Sequence, residues 1–279
     1  MIQYKEMLQN ILNVGVDSQD RTGTGTMSVF GSQHRYNLED GFPLVTTKKT
    51  YWKGIVVELM WVLSGDTNIK YLEDNGVKWW REWADDKGDL GPVYGSQWRN
   101  WEQESDNGSV YREGYDQLSR LLTGLKQNPY SRRHILTNWN PIDVNKMALP
   151  CCHGNIVQFY VRDGRLSCQM YQRSADVFLG VPVNIGMYAL LTHLIAADCG
   201  LEVGEFIHTV GDLHLYNNHK DQAMEVLGRE VLPLPKLKVK LGEDLLSVID
   251  KKLGWEDLKK VIVLEDYNHH PHIKGEVSV

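Results

Sequence analysis

The sequence predicts an α+β protein, and three observations carry that reading. Helix-periodic stretches are mixed irregularly with strand-like runs instead of alternating with them in a βαβ series. Two of those runs flank Asp163-Gly164, a strong hairpin-turn signal. No internal repeat, low-complexity tract or linker interrupts the 279 residues, so one domain over 1–279 is expected.

Tyr4, Met7, Leu8, Ile11 and Leu12 recur at helical spacing, and Gly15 supplies a stop. Residues 26–37 alternate loosely as a strand, with a break at Gly41-Phe42-Pro43. An apolar helix fits 52–64. The stretch 87–118, rich in Gly, Asp, Asn and Ser, reads mainly as loop, with a helix near 115–126 and a strand at 134–139 after it. The hairpin strands are 156–162 and 165–172. Around the Pro182 turn, Asn184 is expected to cap a long helix running to Cys199, which Gly200 ends. Residues 211–216 look strand-like, and 236–241 alternates as a half-exposed strand.

Composition narrows the function. A hydrophobic fraction of 42% and a charged fraction of 24% are ordinary globular values. With 30 Lys+Arg against 36 Asp+Glu the formal charge is −6, which argues against nucleic acid as the main partner. A small anion held by a few arginines is still compatible with it. No apolar run approaches the roughly 18 residues of a membrane span, and the N-terminal helix lacks the features of a cleavable signal. The four cysteines are too few and too irregular for a disulfide framework, so a reducing cytoplasm is expected.

Cys152-His153 is the first chemical candidate, because a thiolate is a strong nucleophile and a nearby His or Arg can lower its pKa. Buried small residues are the plain alternative. Arg21, Arg132, Arg133 and Arg173 stand beside Gly, Ser and Thr and suit phosphate, although each alone reads as a solvated charge. His214 and Tyr216 alternate, so both can face one cavity as hydrogen-bonding groups, or be satisfied core residues. Glu58, a lone carboxylate in an apolar helix, must be paired or carry a raised pKa, which suits acid-base work. Asp176 and Asn184 flank Pro182, and an amide can both donate to and accept from a base edge. Neither the adjacent cysteines nor the His269, His270 and His272 cluster offers metal-ligand spacing, so no metal is expected.

Seven blocks, taken in order, resemble the thymidylate synthase family: DRTGTGT (20–26), DGFPLVTTKK (40–49), EWADDKGDLGPVYGSQWR (82–99), SRRHI (131–135), QMYQRSADVFLGVPVNI (169–185), VGDLHLYNNH (210–219) and HPHIKG (270–275). The resemblance implies a large twisted sheet packed against its twin in a homodimer. It also implies reductive methylation of dUMP to dTMP, with 5,10-methylenetetrahydrofolate as carbon and hydride donor. Cys152 would add to uracil C6, Glu58 and Tyr94 would move protons through water, and His153 would share that network. Asn184 would read the base, and Gln172 would also bind dUMP. Arg21, Arg173, Ser174 and the partner's pair, Arg132 and Arg133, would hold the phosphate, and His214 and Tyr216 the ribose. Asp176 would bond the pterin, with Trp80, Trp83, Leu149, Leu179, Gly180 and Val183 as its wall. Lys48 would meet the glutamate tail, and the tail through Ser278 and Val279 would close over the site.

The departures from the family pattern cluster at the reaction centre. Cys151 stands where a proline is usual, so the nucleophile falls to Cys152 by its position before His153, with Cys151 second. The run Gly154-Asn155-Ile156-Val157 is one residue longer than the pattern, and a bulge is expected there. Trp79 replaces an aliphatic residue, Val183 a Phe and Ala175 a Cys. A relative that lets water capture the exocyclic methylene, giving 5-hydroxymethyl-dUMP, is the alternative implied by the resemblance. A silent nucleotide- or RNA-binding relative stands behind it.

Overall fold

The computed structural model describes residues 1–102 and 114–278. In chain order its elements are α1 (Ile2–Val14), β1 (Val16–Ser18), β2 (Thr26–Asn37), α2 (Trp52–Ser64), α3 (Lys70–Asp74), α4 (Gly95–Arg99), α5 (Gln117–Gln127), β3 (Ile135–Leu136), β4 (Ile156–Arg162), β5 (Arg165–Asp176), α6 (Gly180–Cys199), β6 (Glu202–Tyr216), α7 (Lys220–Gly228), β7 (Lys236–Val239), α8 (Leu245–Asp250), α9 (Trp255–Val261) and β8 (Ile262–Glu265). Six strands form one mixed sheet in the order β1-β2-β6-β5-β4-β3, and β7 pairs with β8 apart from it. This is the α+β arrangement expected from the irregular order of elements.

The hairpin β4–β5 forms as read, with Asp163 at φ +50° and Gly164 at φ +74°, the paired positive dihedrals of a type I′ turn. Strand β5 runs four residues past the expected end, to Asp176. It then pairs in parallel with β6, and α6 is the crossover that parallel pairing requires. One face of the sheet is buried: Phe159, Cys168, Met170, Phe206 and Val210 point inward with the helices. The other face is open, and Ile156, Tyr160 and Tyr171 stand exposed on it.

Several expectations need correction. Asn184 does not cap α6: the helix starts at Gly180, and the Asp176 carboxylate accepts the N–H groups of Phe178 (2.8 Å) and Leu179 (3.1 Å) just ahead of it. Pro182 falls in the first turn, where no N–H is needed from it, so it does not break the helix. The expected bulge near Cys152 is absent, because β4 and β5 pair residue for residue from Ile156–Tyr171 to Arg162–Arg165. The extra residue is taken up in a turn at Gly154 (φ +66°), ahead of the strand. Only Ile135–Leu136 of the expected 134–139 strand pairs, and the expected 87–118 loop contains α4. Residues 103–113 of that loop, and Val279, lie outside the described residues.

The reading that no apolar run approaches membrane-span length also fails. Helix α6 has 20 residues with a mean hydropathy of 1.4 over its most apolar window. Burial explains this, since 78% of that window is packed inside the protein and the helix is apolar all round.

Candidate active site

The parallel strands β5 and β6 end side by side, with Ser174 opposite Asp212 and Asp176 opposite His214. The chain leaves β5 almost directly into α6, so these carboxyl ends and the start of α6 lie together, the position where parallel strands commonly meet their ligands. Gln172, Arg173, Ser174, Asp176, His214 and Tyr216 are therefore brought together by two strands, although up to 44 residues separate them in sequence.

The segment carrying Cys152 is laced onto β5. Arg173 N–H donates to Cys152 O (3.0 Å) and to Asn155 Oδ1 (2.9 Å), and Asn155 Nδ2 donates to Cys151 O (3.0 Å). The Arg173 side chain adds Nε to Cys151 O (2.9 Å) and Nη2 to Pro150 O (2.8 Å). Asn155 comes from the longer run, so the extra length supplies a tie. Gly154 has no alternative, because a Cβ there would lie 2.2 Å from the Tyr188 hydroxyl.

The two thiols differ. Cys151 is fully buried, its Sγ accepts Tyr94 N–H (3.1 Å), and burial pushes its pKa up to about 12. Cys152 is partly exposed, with Sγ 3.6 Å from the Tyr94 hydroxyl, which also accepts Cys152 N–H (3.3 Å). Its thiol pKa is raised as well, by burial first, with Tyr94 and Arg173 pulling it back and Glu58 pushing it up. The expected lowering by a neighbouring His does not occur. His153 is itself buried, its pKa falls to about 3, and it is bound through Nδ1 to Tyr188 (2.9 Å) as a neutral ring.

Tyr94 begins α4 with a positive φ of +29°, and its ring stacks on His153 at 4.4 Å. Trp80 lies edge-on to Tyr94 and to Trp83, each at 5.8 Å, and donates its indole N–H to Glu58 Oε1 at 2.5 Å. Burial in α2 raises Glu58 to about 7, with the Trp80 bond working the other way. A carboxyl poised there can both give and take a proton near neutrality. Trp79 lies on Gly54 of α2, where a Cβ would come within 2.4 Å of its ring.

The remaining positions divide. His214 sits 3.6 Å from Asp212, and although burial opposes its charged form, Asp212 and Asp176 outweigh that and raise its pKa. Leu149, Leu179 and Val183 are partly buried against the core, and Gly180 opens α6. Lys48 is buried, donates to Phe178 O (2.5 Å) and lies 3.8 Å over the Phe178 ring. Gly275 passes close over Phe178, Leu179 and His219, His219 Nε2 lies 3.0 Å from Glu276 O, and Ser278 Oγ is buried without a partner. Arg21 is exposed in the turn before β2. Arg132 and Arg133 are exposed ahead of β3, and Arg133 lines a cavity of about 240 Å³ with Tyr115, Arg120 and His134, apart from the Cys152 cluster.

Sequence reading missed Tyr188, Asn155, Asn138 and Asp212, which hold His153, Arg173, the His153 carbonyl and His214. Only Asp212 carried a signal, its place two residues before His214 on the same strand. Among the described residues, no group of three or more His, Cys, Asp or Glu side chains could hold a metal ion.

Near the ends of the parallel strands a partly exposed thiol, a tyrosine hydroxyl and a buried carboxyl with a raised pKa lie together, a set of side chains suited to nucleophilic group transfer. A family model described as thymidylate synthase matches residues 2–279, and the chain belongs to that family. Membership makes it a transferase of one-carbon units in nucleotide biosynthesis, and the family uses methylenetetrahydrofolate.

Proposed function

We propose that the protein is a thymidylate synthase that methylates dUMP at C5. The observation that carries this is the cluster of Cys152 on the Tyr94 hydroxyl, beside Glu58 held under Trp80. Uracil C5 is a poor nucleophile. Addition of the Cys152 thiolate to C6 pushes the ring electrons into an enolate across C5 and O4, which Asn184 stabilises by donating from its amide. C5 then attacks the one-carbon unit, and its hydrogen leaves as a proton through Tyr94 and water. The C5–H electron pair expels the folate amine and leaves an exocyclic methylene on C5. Hydride addition to that methylene pushes the ring electrons back, so that the thiolate leaves C6 with its electron pair. Methylenetetrahydrofolate supplies the carbon and the hydride. Glu58, with a pKa of about 7, relays protons to and from the O4 side.

Arg21, Arg173, Ser174 and the partner's Arg132 and Arg133 hold the phosphate, and His214 and Tyr216 the ribose. Arg173 spends two donors on backbone carbonyls, which fixes its fork and leaves Nη1 for the ligand. Asp176 bonds the pterin, between walls formed by Trp80, Trp83, Leu149, Leu179, Gly180 and Val183. The open sheet face with Ile156, Tyr160 and Tyr171 supports a homodimer packed through that face. Four unpaired cysteines suit work in a reducing cytoplasm.

Trp80, fixed by Glu58 and flanked by two aromatic edges, favours a dry methylene and hydride capture over water capture. Val183 in place of a larger ring favours water, so product identity is the decisive test. Incubation with dUMP and methylenetetrahydrofolate, followed by mass spectrometry, is expected to give dTMP and dihydrofolate. Hydroxymethyl-dUMP with tetrahydrofolate would replace the synthase by the hydroxymethylase, and nucleotide binding without any product would indicate a silent relative.

A further inference from the structure

We propose that His208 is a positioning residue that fixes which way round the Asn184 amide points, and so makes the site select uracil over cytosine. The inference rests on the function proposed above, with Asn184 as the base reader.

The alternation of β6 turns His208 inward, where it is fully buried beside Gln172 of β5, and Gln172 in turn meets Asn184 of α6. Polarity propagates along this line from one unambiguous atom. The Ser174 backbone carbonyl can only accept, and it lies 3.0 Å from one end of the Gln172 amide, so that end is the NH2 group. The same NH2 lies 3.1 Å from Asn184, so the atom it faces is Oδ1. The other end of Gln172 is therefore the oxygen, and it lies 2.9 Å from His208 Nε2, which must carry the proton. Nδ1 of His208 is left bare and without a partner, which costs less than a stranded N–H. Burial lowers the ring's pKa to about 3, so it stays neutral near pH 7.

Direction matters because a terminal amide is nearly symmetric in shape. Uracil offers an N3–H donor beside an O4 acceptor, whereas cytosine offers an N3 acceptor beside an amino donor. An asparagine free to turn over can satisfy either base. One whose Oδ1 is tied to Gln172 presents a single pattern, with Nδ2 left to donate. Asn184 thus discriminates by being locked, and His208 holds the far end of the lock. Without it Gln172 loses one of three bonds, its oxygen is buried unpaired, and the amide can withdraw from Asn184.

The test measures dissociation constants for dUMP and dCMP, without folate, on the wild type, His208→Leu and His208→Gln. Gln keeps a donor near the Nε2 position, so it should keep the wild-type preference, while Leu should reduce the dUMP-over-dCMP ratio about tenfold. An unchanged ratio in the Leu variant, or equal weakening of both nucleotides, overturns the proposal. Should His208→Leu not fold, imidazole ¹⁵N NMR of the wild type decides instead: a neutral Nε2–H ring is required, and an Nδ1–H or cationic ring overturns it. A wild type that binds neither nucleotide would sink the proposed function, while the NMR result would still judge the lock.

Discussion

Cys151 and Cys152 are adjacent, yet their surroundings assign them different work. Cys151 is enclosed and spends its sulfur on the Tyr94 N–H, whereas Cys152 is partly exposed beside the Tyr94 hydroxyl. Cys152→Ser is expected to abolish turnover while dUMP binding persists by equilibrium dialysis, and Cys151→Ala to retain a substantial rate. The reverse pattern would move the nucleophile to Cys151. Glu58 gives a second test at this scale. Its carboxyl is raised from 4.5 to about 7, so the stability of the protonated form is fully present below 4.5 and is lost as pH rises to about 7. The swing is about 3 kcal/mol for a buried group. In urea denaturation from pH 4.5 to 7.5, the stability of the wild type should fall relative to that of Glu58→Gln by about that swing. The same variant should lose the ionisation near 7 from the kcat/KM profile.

Elements meet at turns, and two glycines separate backbone strain from steric clash. Gly164 in the β4–β5 turn has φ +74° with nothing near its missing Cβ. Gly164→Ala should therefore cost only about 1 kcal/mol and leave activity intact. Gly154 has a similar φ of +66°, but its Cβ would strike Tyr188. Gly154→Ala is expected to cost more in thermal stability and to displace His153 and Cys152, lowering kcat as well. Comparable losses in the two variants would show that the Tyr188 contact yields freely. At the start of α6, Asp176→Ala removes the acceptor of two N–H groups and should cost about 1 kcal/mol even without ligand.

For the whole molecule, buried histidines set the acid limit. Burial lowers His153 and His208 to about 3 and His193 to about 4, so the unfolded chain binds more protons below about 6.5. Stability should fall by about 2 kcal/mol per ring between pH 6.5 and 5, outweighing the opposite trend of Glu58. Urea midpoints at the two pH values measure this directly. A single calorimetric transition is expected if the chain is one domain, since the buried cluster runs from Met1 to Ile273. The proposed dimer makes its own prediction. Mixing Arg133→Ala with Cys152→Ala protein should restore partial activity through hybrid sites, and no recovery would count against arginines shared across subunits.

Local signals of period and turn chemistry were legible in the chain. The α2 span, the Asp163-Gly164 hairpin, the Gly200 stop and the family blocks follow from residues near one another in sequence. Asn184 looks like a helix cap from sequence and is not one, because Pro182 resembles a breaker until the helix is seen to begin two residues before it. The Cys152 environment was half legible: a His stood beside the thiol, but burial makes that ring neutral and leaves it no charge to offer. Tyr188, Asn155 and His208 carried no local mark. By itself the sequence determined the element types and the family, because periodicity, turns and motif blocks are short-range patterns. Tertiary structure alone decided which thiol stays accessible, how far each pKa moves and which way the Asn184 amide points, because each depends on burial and on donors from distant strands.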